Sequence, residues 1–175
     1  STPSPTASST DSATPSPAIE ASVCGLKPVE LTGTVTTAPV ATWTLVGTIA
    51  APSIKDQGPG TVEPSGYRGC YAHTPTGTLV DASNYAALGS YGAVRKEFYE
   101  KATVPGPGRD ALLKKPIEGS EGGVRIQLAG FRFVRYSGDQ ADVELAFRTA
   151  NGAIGAAVFN LQWSGGDWKM RLADD

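Results

Sequence analysis

A single histidine, His73, stands in a chain of 175 residues. No two-histidine metal site and no histidine cluster can be built from one such chain. Cysteine is nearly as scarce: Cys24 and Cys70 are the only two, and their spacing matches no zinc or redox motif. An excess of one charge is missing as well. Lys and Arg total 15 against 17 Asp and Glu, for a formal net charge of −2. No basic run of about five residues occurs, so the electrostatic footprint of a nucleic-acid binder is absent. No apolar stretch approaches the ~18 residues of a membrane span, and no signal-peptide pattern opens the sequence. Nucleophile-elbow chemistry lacks its Gly-x-Ser-x-Gly. Gly58-Pro59-Gly60, Pro105-Gly106-Pro107-Gly108 and Gly122-Gly123 do not follow a strand and open a helix with phosphate-loop spacing, and they read as turns. These absences lead to the expectation of a non-enzymatic protein with no metal, no cofactor and no nucleic-acid partner.

What is present falls into three parts. Residues 1–22, STPSPTASSTDSATPSPAIEAS, are almost wholly Ser, Thr, Pro and Ala. Such a segment cannot bury enough apolar surface to fold, so an extended stalk is expected. A stalk implies an upstream membrane anchor; the alternative is a tail with none. Residues 23–66 are punctuated by Pro28, Pro39, Pro52 and Pro59. The run from Trp43 to Ile49 has strand character, with Trp43, Leu45, Gly47 and Ile49 on one face, and the segment reads as a wrapping arm with one strand. In an oxidising compartment the only intramolecular pairing is Cys24 with Cys70. Closing that ~46-residue loop is worth about 3 to 4 kcal/mol. In a reducing compartment the two are separate buried thiols.

Residues 67–175 form the main domain. An extended piece ends at Thr74-Pro75, because the residue before proline is pushed to the extended region. A helix then starts near Thr76 or Thr78, turns Leu79, Ala82 and Ala86 inward and stops at Gly89. Ser90 caps a second helix, in which Tyr91, Val94, Phe98 and Ala102 face the core while Arg95, Lys96, Glu97, Glu100 and Lys101 face water. Arg109 to Lys115 adds a turn with Leu112 and Leu113 inward, and Glu118 to Gly123 is a link. From Val124 to Leu172 apolar residues alternate with a period of two. Val124, Ile126 and Leu128 share a face. Gly130 then shifts the phase to Phe131 and Phe133, as a bulge does. Val143, Leu145 and Phe147 face inward, as do Ala157, Phe159, Leu161 and Trp163. Ser164-Gly165-Gly166-Asp167 turns the chain into Trp168, Met170 and Leu172. The expected architecture is α+β: a curved antiparallel sheet of about four strands covered by N-terminal helices. The competing one is a small β-sandwich with the helices as insertions.

The strand Ala129-Gly130-Phe131, the strand start Ala141 to Leu145 and the closing hairpin Leu161 to Lys169 resemble the NTF2-like cone fold. Gly69 to Leu79, Gly-Cys-Tyr-Ala-His-Thr-Pro-Thr-Gly-Thr-Leu, ahead of a small-residue helix, is similar to envelope-exposed proteins encoded on conjugative elements of Gram-positive actinobacteria. Those are akin to the periplasmic domain of the inner-membrane scaffold subunits of type IV secretion. The resemblance covers about Tyr67 to Leu172. It implies a scaffold or assembly domain held outside the cytoplasm at the cell membrane, whose partners are other envelope or secretion-apparatus proteins or further copies of itself.

Within that frame His73 beside Tyr71 and Asp81 is the one place where a base is conceivable, although a lone histidine more often only hydrogen-bonds near a helix start. Trp163 and Trp168 flank a tight turn on inward parity and are expected in the core. The inward positions are apolar rather than catalytic, so function is expected on the surface. The candidate interaction residues are Arg132, Arg135, Glu144 and Arg148 on the strands and Arg95, Lys96 and Glu100 on the helix. The other open reading is an envelope-tethered binding protein with a small apolar ligand in the cone. A continuous cavity of several hundred cubic ångströms would favour it, whereas a filled interior with an exposed apolar or edge-strand surface favours assembly.

Overall fold

The computed structural model of the chain describes residues 21–116 and 125–173. The proposed stalk up to residue 20, the link Glu118 to Gly123 and Val124 lie outside the described residues. In chain order the elements are β1 (Thr42–Val46), β2 (Ile49–Ser53), β3 (Thr61–Val62), β4 (Arg68–Gly69), α1 (Pro75–Ser90), α2 (Gly92–Ala102), α3 (Pro107–Lys114), β5 (Ile126–Tyr136), β6 (Gln140–Thr149), β7 (Ile154–Ser164) and β8 (Asp167–Met170). The fold is α+β, with a four-stranded antiparallel sheet in the order β5-β6-β7-β8 and two small two-stranded sheets, β1-β2 and β3-β4.

The alternation of the last third of the chain survives as that sheet. Ala141, Val143 and Leu145 of β6, Leu161 and Trp163 of β7 and Trp168 of β8 are buried. Asp142, Glu144 and Arg148 take the opposite face, as a period of two requires. The pairing register shifts between Leu128 and Gly130, where the phase change stood in the sequence, and again between Phe133 and Arg135. Two bulges in one strand add bend and twist to it. Gly165 and Gly166, both at positive φ, make the two-residue turn that pairs Ser164 with Asp167. Ala157 departs from expectation: it has inward parity but is exposed.

α1 lies across the sheet and is buried on almost every side. Its start differs from the expected one. Thr74, not Thr76 or Thr78, is the cap, accepting the Gly77 N–H at 2.8 Å, and Pro75 occupies the first turn, where its missing N–H costs nothing. Gly89 does not end the helix. Ser90 is its last residue and donates its hydroxyl to the Ala86 carbonyl, so Tyr91, not Ser90, stands ahead of α2, without a side-chain cap. Val94, Phe98 and Ala102 of α2 enter the core, whereas Leu112 and Leu113 of α3 are only half-buried.

Residues 23–66 carry three strands instead of one. The Trp43 to Ile49 run is a hairpin, with Val46 opposite Ile49 and Gly47, at positive φ, opening the two-residue turn. Its buried residues are therefore Val46 and Ile49, while Trp43 and Leu45 are exposed. Upstream of the hairpin the chain does wrap. Glu30 donates its N–H to the His73 carbonyl at 2.8 Å, and the Tyr136 hydroxyl donates to the Glu30 carbonyl at 2.6 Å.

Candidate functional site

The end of the sheet at the β7–β8 turn is closed by covalent and charged contacts. Cys24 and Cys70 form a disulfide, Cα to Cα 6.2 Å. Ser22, placed in the stalk by composition, is instead buried with its Oγ 2.9 Å from Cys70 Sγ. The Val23 N–H donates to the Gly166 carbonyl at 2.8 Å, so the chain enters the fold at this turn. Asp167 accepts the N–H groups of Cys70 at 2.9 Å, Tyr71 at 2.8 Å and Trp168 at 2.9 Å. Burial pushes the Asp167 carboxyl up to about 6, against the three N–H groups that pull it down.

Beneath that end lies a sealed polar cluster. Asp81 on α1 is fully buried and neither carboxyl oxygen has a hydrogen-bond partner. Burial, reinforced by the nearby Asp167, raises its pKa well above the ordinary value, so the neutral acid is favoured. Tyr85 lies close enough to temper that shift, yet its hydroxyl donates to the Trp168 carbonyl at 2.6 Å. Burial also raises the Tyr71 and Tyr85 hydroxyls well above their usual pKa. His73 stacks on Trp163 with ring centroids 3.8 Å apart, and its Nε2 lies 2.6 Å from the Gly138 carbonyl, which can only accept, so Nε2 carries the proton. His73 is thus buried, and Trp163 and Trp168 are core residues. Neither His73 nor Asp81 lines the surface cavities described below.

Among the described residues no group of His, Cys, Asp and Glu is arranged to hold a metal ion, and no helix is long and apolar enough to cross a membrane. An apolar groove between the β1–β2 hairpin, α1 and β5 holds about 160 Å³ and is lined by Trp43, Pro52, Ile54, Leu79, Val80 and Leu128, among others. That is below the roughly 300–1,000 Å³ of small-molecule sites. Two larger clefts, of about 340 Å³ beside α3 and 320 Å³ beside the β1–β2 turn, lie on the surface rather than in the core.

The charged candidates separate into two groups. Arg132 pairs with Glu144 at 2.9 Å, and Arg135 with Asp142 at 2.9 Å, across β5 and β6 on the outward face. Arg148 is exposed on the same face and has no ion pair among the described residues. Lys96 pairs with Glu100 along α2, and the Arg95 Nε donates to the Gly89 carbonyl at 3.0 Å. Because α2 packs on the inner side through Val94 and Phe98, the helix and strand groups do not form one surface. Each exposed pair is worth only about 0–1 kcal/mol.

What sequence reasoning missed is the far half of β7. β8 spans four residues against eleven in β7, and its pairing ends at Leu161 with Met170. One more bond follows, from the Arg171 N–H to the Asn160 carbonyl at 2.8 Å. In an antiparallel strand alternate residues direct both backbone groups to the same side. Val158, Ala156 and Ile154 therefore direct theirs as Asn160 does, where among the described residues nothing pairs with them. Ile154 is 64 % and Val158 47 % exposed. Gly155, Ala156 and Ala157 are exposed as well, and Ala150 to Asn160 contains no charged residue and no proline. One signal pointed here: that uncharged run.

No curated protein and no solved structure matches the chain. One family model does, over residues 3–175, and it spans nearly the whole sequence: the chain belongs to the DUF8175 family, described as a domain of unknown function.

Proposed function

We propose that this chain is a non-catalytic assembly domain of the cell envelope, working outside the cytoplasm in a conjugative transfer apparatus of the type IV secretion kind, on an NTF2-like half-cone. The observation that carries the assembly reading is the uncharged half of β7, whose outer edge has no strand partner among the described residues and which is set at the opposite end of the sheet from the point where the N-terminal segment enters. Unpaired strand edges recruit further strands. The filled interior supports the same reading, since Phe133, Tyr136, Trp163, Trp168 and Tyr85 pack together where a ligand or substrate pocket would lie. The disulfide supports an oxidising compartment. The half-cone is supported by helices on the inner side of the sheet and the two bulges in β5. The conjugative assignment rests on the resemblance of Gly69 to Leu79 and of the closing hairpin.

The test is made in the native host. Charge reversal at Arg132, Glu144 and Arg148, and separately at Lys96 and Glu100, should leave the melting curve unchanged while transfer frequency and capture of envelope partners fall. Full transfer activity in those variants, with loss of activity in a stably folded H73Q or D81N, would replace the assembly reading with an active site near α1. The alternative reading, a bound small apolar ligand, has the Trp43 groove as its candidate site. Under it, small aromatic compounds should change Trp43 fluorescence saturably, and a W43A variant should lose the response.

A further inference from the structure

We infer that the open edge of β7 is self-complementary, and that two copies of this chain pair through it, antiparallel, about a two-fold axis at Ala156. The inference rests on the assembly reading and names its first partner as a second copy. Around Ala156, residues at equal distance meet across the axis. Ile154 faces Val158 of the second copy, and Gly155 faces Ala157. The two large exposed apolar side chains of this edge thus cover each other, twice, as a β-branched cross-strand pair. Ile154, Ala156 and Val158 are also the residues whose backbone groups face outward, and this register pairs all of them. Shifting the axis to Ala157 sets Ile154 opposite Asn160, whose carbonyl is committed to Arg171, and leaves Ile154 unmatched.

Charge agrees with the register. Cross-strand neighbours place Glu144 beside Val158, and Arg132 beside Glu144, while Arg148 lies beside Ile154. In the paired sheet one row therefore reads Arg132, Glu144, Val158, then Ile154 and Arg148 of the second copy. Apolar residues meet at the seam, and the first charges on either side are opposite in sign. A two-fold interface must be complementary to itself in this way.

The sheet's other edge differs. β5 carries two bulges, is approached by β2 and bears Arg132 and Arg135, all devices that discourage edge pairing. β7 from Ile154 to Phe159 has no bulge, no proline and no charge. Pairing of one short edge buries less than the roughly 1,600 Å² of a standard interface, so a dimer of micromolar affinity is expected.

Sedimentation equilibrium on the intact chain, taken to about 100 µM to span that range, should give twice the monomer mass. The double variant I154K/V158K should halve it without altering the far-UV spectrum. Strand-paired Cα atoms at the axis lie within disulfide reach, so A156C should run as a covalent dimer on a non-reducing gel and I154C as a monomer. A monomer at every concentration, a dimer indifferent to the two lysines, or cross-linking at position 154 in place of 156 would overturn the self-pairing. If the chain is monomeric yet transfer falls with I154K/V158K, self-pairing fails and the assembly reading stands. If the β7 dimer forms and its loss leaves transfer untouched, self-pairing stands and the assembly reading fails.

Discussion

At the β7–β8 end of the sheet, every neighbour is tied to another: a disulfide, a buried serine against it, and one carboxylate holding three backbone N–H groups. At the β6–β7 end, six consecutive residues of β7 have β6 as their one strand partner among the described residues, and all but Phe159 are exposed. Both ends belong to the same strand. The difference shows how a protein can be rigid where its chain enters and available where its edge is free. Under the proposed assembly reading, stability and interaction fall on different residues and are separable by mutation.

The largest effect should come from breaking the tied end covalently. The Cys24–Cys70 bond closes a loop with a sequence separation of 46, for which chain entropy gives about 4 kcal/mol. Urea titration of the reduced or C24S/C70S protein should show a loss of that order, with little change in slope. If the loss is below about 1 kcal/mol, a figure reached by an average single substitution anywhere in a protein, the tied end does not depend on its disulfide.

A smaller effect should follow pH. The Asp167 carboxyl is raised above its unfolded value, to about 6 when folded, and burial raises Asp81 well above its ordinary value in the same direction. An acid raised on folding contributes stability that is complete below its unfolded pKa, near 4, and is lost as pH rises through the folded one. The protein should therefore be more stable at pH 5 than at pH 7, by about 1 kcal/mol from Asp167. In D81N that gain should shrink, because one of the two buried acids no longer titrates and its coupling to Asp167 is gone. An unchanged pH profile in D81N would remove Asp81 from this account.

The smallest effect is expected at the free end. Ile154→Thr keeps the β-branched shape and deletes apolar surface already in water, so it should shift stability by less than ~0.5 kcal/mol. It should nonetheless weaken any contact made by the edge. A loss comparable to that of the disulfide, read by the same urea titration on dilute protein, would mean that β7 is held by contacts within the chain and that the two ends are not separable.

Alternation from Ile126 to Met170 determined the four strands and their inner faces. A period of two has one buried parity, and the phase slip at Gly130 marked the bulge before any coordinates did. The Trp163 and Trp168 positions and the helical stripe Val94, Phe98 and Ala102 were legible for the same reason. Two lone cysteines determined the one possible intramolecular disulfide. Local pattern could not settle whether Trp43 to Ile49 was one strand or a hairpin, because a Gly-Thr turn can hide inside an apolar run. Nor did it find the cap: Thr76 and Thr78 were expected, while Thr74, ahead of Pro75, offers the same hydroxyl. Ser22 looked like stalk because composition does not register a disulfide that packs on one residue. The candidate site was the least legible part. Exposure of Ile154 to Val158 depends on where β8 ends and how far the helices reach. The burial of Asp81 without a partner depends on how α1 packs across the sheet. Parity and propensity are properties of neighbours in sequence. An uncovered edge and a sealed acid are properties of what lies beside them in space, which only the tertiary structure decides.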